Sequence, residues 1–171
     1  MALLPSAIAV TPAHTPANYH LHRQQPPAPF FSYKKELAYL KEKCDAGADV
    51  IITQMFFGAA LFCRFVDDCR AVGITCPIMP GIMLIQNFGG FKRMTSMCKS
   101  RVPADMMAEI DAIPHTSDAE HAKLIREFGT RQGIKLCREL IAAGHTGLHF
   151  YCLNLENVTY DVMREFGLLK E

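Results

Sequence analysis

Three observations predict an α/β fold of parallel strands covered by helices. The stretch from Ala48 to Gly81 reads ADVIITQMFFGAALFCRFVDDCRAVGITCPIMPG, two apolar, β-branched-rich runs flanking one amphipathic helix. Near-continuous apolar runs of this kind suit strands buried on both faces. A helix–glycine–strand signature recurs as CDAGADVI, RAVGITCPI and IAAGHTGLHF. That repetition argues for β/α units in a parallel array, with right-handed crossovers as the default. Finally, the 171 residues are 50% hydrophobic and 20% charged, which suits one soluble globular domain.

The elements follow in order. Order is expected to begin near Tyr33, where YKKELAYLKEKCDAG places Leu37, Leu40 and Cys44 at helical spacing before Gly47 stops the helix. A strand from Asp49 to Phe57 follows, and Gly58 breaks it. Ala59 to Val72 forms a helix with Leu61, Phe62, Phe65, Val66 and Cys69 on its apolar stripe, and Gly73 ends it. Pro77 to Met83 is the next strand, kinked at its end by Pro80-Gly81. Asn87 to Ser100 reads as helical, and Val102-Pro103 opens a short helix to about Ile113. Ser117 with Glu120 forms a capping box for a long helix from Asp118 to Ala143. That helix is expected to bury Ile125, Phe128, Cys137, Leu140 and Ile141, and Gly144 closes it. Gly147 to Leu153 is a third strand and Val158 to Phe166 a last helix.

A closed eight-unit barrel takes ~250 residues. Here only the three units above are clear. The residues alone leave two architectures open: a small open α/β sheet, or the C-terminal part of a barrel whose first units are absent.

The bulk numbers exclude several classes. A formal net charge of +1 gives no case for nucleic acid or an anionic membrane. No apolar run approaches the ~20 residues of a membrane span. The seven cysteines are odd in number and form no C-x-x-C pair, so free thiols in a reducing, cytoplasmic compartment are expected rather than a disulfide framework or a zinc site. Residues 1–32 are proline-rich, contain no acidic residue and carry Arg23 as their only Lys or Arg. They lack the basic start of a signal peptide and read as disordered or foreign to the fold, with His20 and His22 solvated rather than metal-bound. No metal site is expected.

Gln54 stands near the C-terminal end of the first apolar run. In α/β barrels that end is where chemistry is placed. His149 invites reading as a base, but within a strand a packed, hydrogen-bonded histidine is the expectation.

The segments LKEKCDAGADVIITQMFF, GITCPIMPGI and GLHFYCLN, in that order and at those intervals, make the chain resemble the C-terminal half of the catalytic domain of methylenetetrahydrofolate reductase. The resemblance runs from about Tyr33 to the end. It implies a partial TIM (β/α)8 barrel over residues 33–171, with the N-terminal units missing and residues 1–32 outside the family. It also implies FAD as cofactor, NADH or NADPH as reductant, and 5,10-methylenetetrahydrofolate as the substrate reduced to 5-methyltetrahydrofolate for methionine supply.

Site residues carry over by position. Gln54 matches the glutamine that contacts the pterin and, alternately, the nicotinamide; an amide complements both groups. Lys43 matches a lysine near the flavin diphosphate, where an ammonium suits phosphate oxygens. Glu36 stands where the family tends to have Asp and can accept from a ribose hydroxyl. Tyr39 and Glu42 depart from the bacterial pattern. Gly89-Gly90 permits close backbone approach to a ligand or forms a mobile turn. Met94 replaces a stacking aromatic. Leu155 replaces the arginine that reaches the glutamate tail of folate, with Arg164 or Lys170 as possible substitutes. The family's catalytic acid lies on the first barrel strand, and nothing in residues 1–32 resembles it. The chain by itself is therefore expected to lack reductase activity. The alternative is a non-catalytic remnant that acts only by association with another chain, and a homo-oligomer is compatible with either.

Overall fold

The computed structural model describes residues 33–169. Its elements are α1 (Tyr33–Asp45), β1 (Ile51–Ile52), α2 (Ala59–Ala71), β2 (Ile78–Met79), β3 (Gly81–Met83), α3 (Phe88–Met97), α4 (Ala104–Asp111), α5 (Asp118–Ala142), β4 (His149–Tyr151) and α6 (Asn157–Glu165). Residues 1–32, with His20 and His22, and Lys170 lie outside the described residues.

All the strand pairing is parallel. β1 pairs with β2 through Ile51–Ile78 and Ile52–Met79. β3 pairs with β4 through Gly81–His149, Ile82–Phe150 and Met83–Tyr151. β2 and β3 are one run of chain interrupted by Pro80, which has no N–H to give to a ladder. Around it, the Met79 carbonyl accepts from Thr53 N at 3.0 Å on one side. The Pro80 carbonyl accepts from His149 N at 3.1 Å on the other. The result is an arc of three parallel strand positions, β1, β2–β3 and β4, with helices between successive strands. This is the α/β architecture of a partial barrel.

The paired strands are shorter than the apolar runs. In a parallel ladder the bond after Thr53 N–Met79 O would run from Gly81 N to the Thr53 carbonyl. Instead Gly81 N donates to Thr53 Oγ1 at 3.0 Å, and the Tyr151 hydroxyl donates to the Thr53 carbonyl at 3.1 Å. Side chains take over the ladder's groups, so β1 stops at Ile52 rather than running to Phe57. β4 stops at Tyr151 because Leu153 and Asn154 both take positive φ, 49° and 61°. Left-handed backbone costs a leucine ~1–2 kcal/mol, and it turns the chain out of the sheet.

One core layer lies between strands and helices. Ile51, Ile78 and Ile82 pack there with Leu37 and Leu40 of α1, Phe62, Phe65 and Cys69 of α2, Leu140 of α5 and Val158 and Val162 of α6. Tyr33 ties the start of α1 to α2 by donating to Asp68 at 2.5 Å. A second cluster joins Ile85, Phe91, Met106, Ile110, Ile125 and Phe128. α5 reaches the chain just beyond β3 by way of Gly129, where a Cβ would lie 1.9 Å from the Ile85 carbonyl oxygen. Only a residue without a side chain fits there.

Three further expectations need correction. Ile141 is 38% exposed, because Cys137 and Leu140 occupy the inward stripe of α5. The capping box of α5 is half formed: Ser117 Oγ accepts from Glu120 N at 3.3 Å, while the Glu120 carboxylate lies 4.0 Å from Lys123. Gly89-Gly90 is not a loose turn. It forms the first turn of α3, with Gly90 N donating to the N-cap Asn87 Oδ1 at 2.6 Å.

Candidate ligand-binding site

Strand side chains alternate between two faces. Ile51, Ile78 and Ile82 belong to the helix-packed layer. Ile52, Met79, Met83, His149 and Tyr151 therefore fall on the opposite face, turned away from the helices; Gln54 lies two residues past the end of β1. Met79, His149 and Tyr151 are half-buried there, so the face is partly open, and Gln54 beyond β1 is half-buried too.

Gln54 stands one residue beyond Thr53, at the C-terminal end of β1. Its neighbours Thr53, Met55 and Phe56 are buried, which fixes the backbone that carries it. Its side-chain amide makes no hydrogen bond to a described residue. Two donors and one acceptor are thus held at the strand's exit without an internal partner.

His149 and Tyr151, two apart on β4, meet edge to face with ring centroids 4.6 Å apart. The expected hydrogen bond of the His149 side chain is not formed with a described residue; the ring is held by Tyr151 instead. Burial, with a smaller contribution from Cys98, pushes the Tyr151 hydroxyl up. It therefore remains a donor to Thr53 at neutral pH.

Gln86 is a site-building residue that sequence reasoning missed. Its Nε2 donates to the Leu155 carbonyl at 2.6 Å, and its Oε1 accepts from Val158 N at 3.2 Å. The α6 N-terminus has no side-chain cap of its own. One amide therefore ties the exit of β3 to the exit of β4 and supplies that cap. The available signal was a second amide just past a strand end, next to the capping Asn87.

The remaining candidates are dispersed. Glu36 and Lys43 lie half-buried on α1, in its first and last turns. Lys43 Nζ sits 4.4 Å over the Tyr39 ring. No hydrogen bond or ion pair links either residue to Gln54. Glu36 and Lys43 are seven positions apart, close to two helical turns, so they share one face at about 10 Å along the axis. A cation and a carboxylate are thereby held on one face of α1. Met94 is half-buried on α3. Leu155 is 44% exposed, and Arg164 already pairs with Asp161 at 2.9 Å. Among the described residues no group of three or more His, Cys, Asp or Glu is placed to hold a metal, and no helix is long and apolar enough to cross a membrane.

Comparison with known proteins accords with the fold. The family model described as methylenetetrahydrofolate reductase matches residues 9–167, reaching upstream of Tyr33. A methylenetetrahydrofolate reductase (NADH) of Zea mays is 43% identical over 140 residues, which are 82% of this chain and 23% of the relative. A probable methylenetetrahydrofolate reductase (NADPH) of Caenorhabditis elegans is 39% identical over 155 residues, 90% of this chain and 22% of the relative. The 5,10-methylenetetrahydrofolate reductase of Escherichia coli is 35% identical over 137 residues, 80% of this chain and 45% of the relative. The chain thus spans about a quarter of the plant and nematode relatives and under half of the bacterial one. A Clostridium thermocellum protein described as binding two copies of 5-methyl-5,6,7,8-tetrahydrofolic acid shares the fold at a TM-score of 0.53 and 10% identity, over 90% of this chain and 52% of its own. On the family match and on relatives of this similarity, the chain belongs to the methylenetetrahydrofolate reductase family.

Proposed function

We propose that this chain supplies the pterin- and nicotinamide-facing part of an FAD-dependent reduction of 5,10-methylenetetrahydrofolate, with NADH or NADPH as reductant. One observation carries the reading: the half-buried amide of Gln54, just past the C-terminal end of β1, has no hydrogen bond to a described residue. Its Nε2 donates and its Oε1 accepts. That pattern suits the amino-pyrimidinone edge of a pterin and the carboxamide of a nicotinamide in turn. Ile52 and Met79 give the helix-averted face an apolar floor, which strengthens hydrogen bonds made there by keeping water away.

Lys43 would hold a phosphate oxygen of FAD, and Glu36 would accept from its ribose hydroxyl. When bound, the flavin supplies hydride transfer between the nicotinamide and the folate methylene carbon. The protein's part is to bind and orient.

Isothermal titration with 5-methyltetrahydrofolate tests the reading. Wild type should bind and Gln54→Ala should bind at least about tenfold more weakly, as expected for losing two hydrogen bonds. Equal affinity of the two proteins would remove Gln54 from the site. Absence of binding by wild type would overturn the folate assignment.

A further inference from the structure

We propose that Cys44 and Cys76 form a dithiol modification site, which a small-molecule disulfide of the glutathione type converts to an intramolecular disulfide. The two Sγ atoms lie 3.6 Å apart although the residues are 32 apart in sequence. A disulfide needs ~2.05 Å between sulfurs, so linking the pair requires the two side chains to rotate toward each other. Both thiols are free and half-buried.

Their supports are firm. Cys44 closes the last full turn of α1, and Gly47 N donates to its carbonyl at 3.1 Å. Cys76 lies just ahead of β2 in a segment pinned by Arg70, whose Nη1 donates to the carbonyls of Ile74 and Cys76 at 2.8 and 3.0 Å. Both cysteines precede strands, so the pair lies at the strand-entry end of the sheet. Gln54 lies at the exit end. The site is separate from the proposed folate face and does not rest on it.

The Cys76 thiolate attacks one sulfur of glutathione disulfide, that S–S bond breaks, and one glutathione leaves as thiolate. Cys44 then gives its proton to solvent and its sulfur attacks the Cys76 sulfur. The second glutathione leaves as thiolate and takes up a proton. Two protein thiols are oxidised by two electrons, and one glutathione disulfide is reduced to two thiols. Burial, then the hydrogen bond to Cys76, pushes the Cys44 thiol up to about 11, so Cys44 does not make the first attack. Cys69 lies beneath the pair but is fully buried, and burial pushes it up to about 12. It stays out of the exchange.

The test uses the full chain in glutathione buffers of graded ratio, followed by acid quenching, alkylation of remaining thiols, digestion and mass spectrometry. A Cys44–Cys76 linked peptide should appear as the buffer becomes oxidising and disappear with dithiothreitol, while the other five cysteines stay alkylated. Cys44→Ser should leave a persistent glutathione adduct on Cys76. The wild-type map decides even where the variant fails to fold. Glutathione adducts on both cysteines without a link, or links to other cysteines at equal frequency, would overturn the proposal.

Discussion

The Tyr151 hydroxyl donates to the Thr53 carbonyl at 3.1 Å, and the two residues are 98 positions apart. Gly81 lies between them. A Cβ there would stand 2.0 Å from the Thr53 carbonyl oxygen and 2.7 Å from Tyr151 Cε2. The arrangement converts a backbone ladder into a side-chain lock just below Gln54. The lock holds β1 to β3 after Pro80 has removed a backbone donor, and it fixes the strand exit from which Gln54 projects.

Gly81→Ala should therefore be severely destabilising, beyond the ~1–3 kcal/mol of ordinary overpacking, since the clash is with backbone. Tyr151→Phe keeps the ring and removes only the donor. It leaves the Thr53 carbonyl without that partner at a cost of about 1–3 kcal/mol. Urea unfolding measures both. A Tyr151→Phe midpoint equal to wild type would show that the lock is dispensable.

Gln86 makes a second long-range tie. Gln86→Leu keeps most of the volume but removes the bonds to the Leu155 carbonyl and Val158 N. Loss of the α6 cap should cost about 1–2 kcal/mol. Amide hydrogen exchange should accelerate over residues 157–160 and remain unchanged in α2. Uniform acceleration across the chain would instead indicate general destabilisation.

What was legible in the sequence was local. Gly73 and Gly144 end helices with φ of 85° and 90°, and Ser117 caps α5, each within a few residues of the feature that reveals it. Apolar runs located the strands because burial on the helix-packed face leaves a compositional trace at Ile51, Ile78 and Ile82. Strand lengths were not legible, since they depend on Thr53, Gly81 and Tyr151 meeting in space. Nor was the role of Gln86, whose partners lie 69 and 72 residues away and impose no periodicity. At the site, the sequence located Gln54 at a strand end. It did not reveal that the helix-averted face carries His149 and Tyr151 in ring contact.

Stability should fall in alkaline solution through the buried thiols. Burial pushes Cys137 up to about 11 and Cys69 up to about 12, from an ordinary value of 9.0. Above pH 9 the unfolded chain therefore loses these protons while the folded chain keeps them. The unfolded state then binds fewer protons, so unfolding free energy decreases as pH rises. This contribution is complete below about pH 9 and is lost progressively up to the folded values of about 11 and 12. Chemical denaturation from pH 8 to 11 checks the sign. Cys137→Ala should flatten part of the decline; an unchanged slope would remove that thiol from the account.

Leu155 offers a gain-of-function test of the folate reading. Its backbone is held by Gln86 and by the left-handed turn at Leu153-Asn154, so a new side chain can be carried without moving the chain. The side chain itself is 44% exposed, which leaves room for a guanidinium. Leu155→Arg restores the cation that the family resemblance places opposite the glutamate tail. A charge-assisted pair contributes about 1.5–3 kcal/mol, or roughly ten- to a hundredfold in affinity. Titration with 5-methyltetrahydrofolate should show that gain, and added salt should diminish it. Leu155→Gln should show little of it. A pterin lacking the glutamate tail should bind Leu155→Arg no better than wild type, because the arginine acts on the carboxylates alone. An equal gain for the tail-less pterin would place the guanidinium against the ring and refute the assignment of position 155 to the tail.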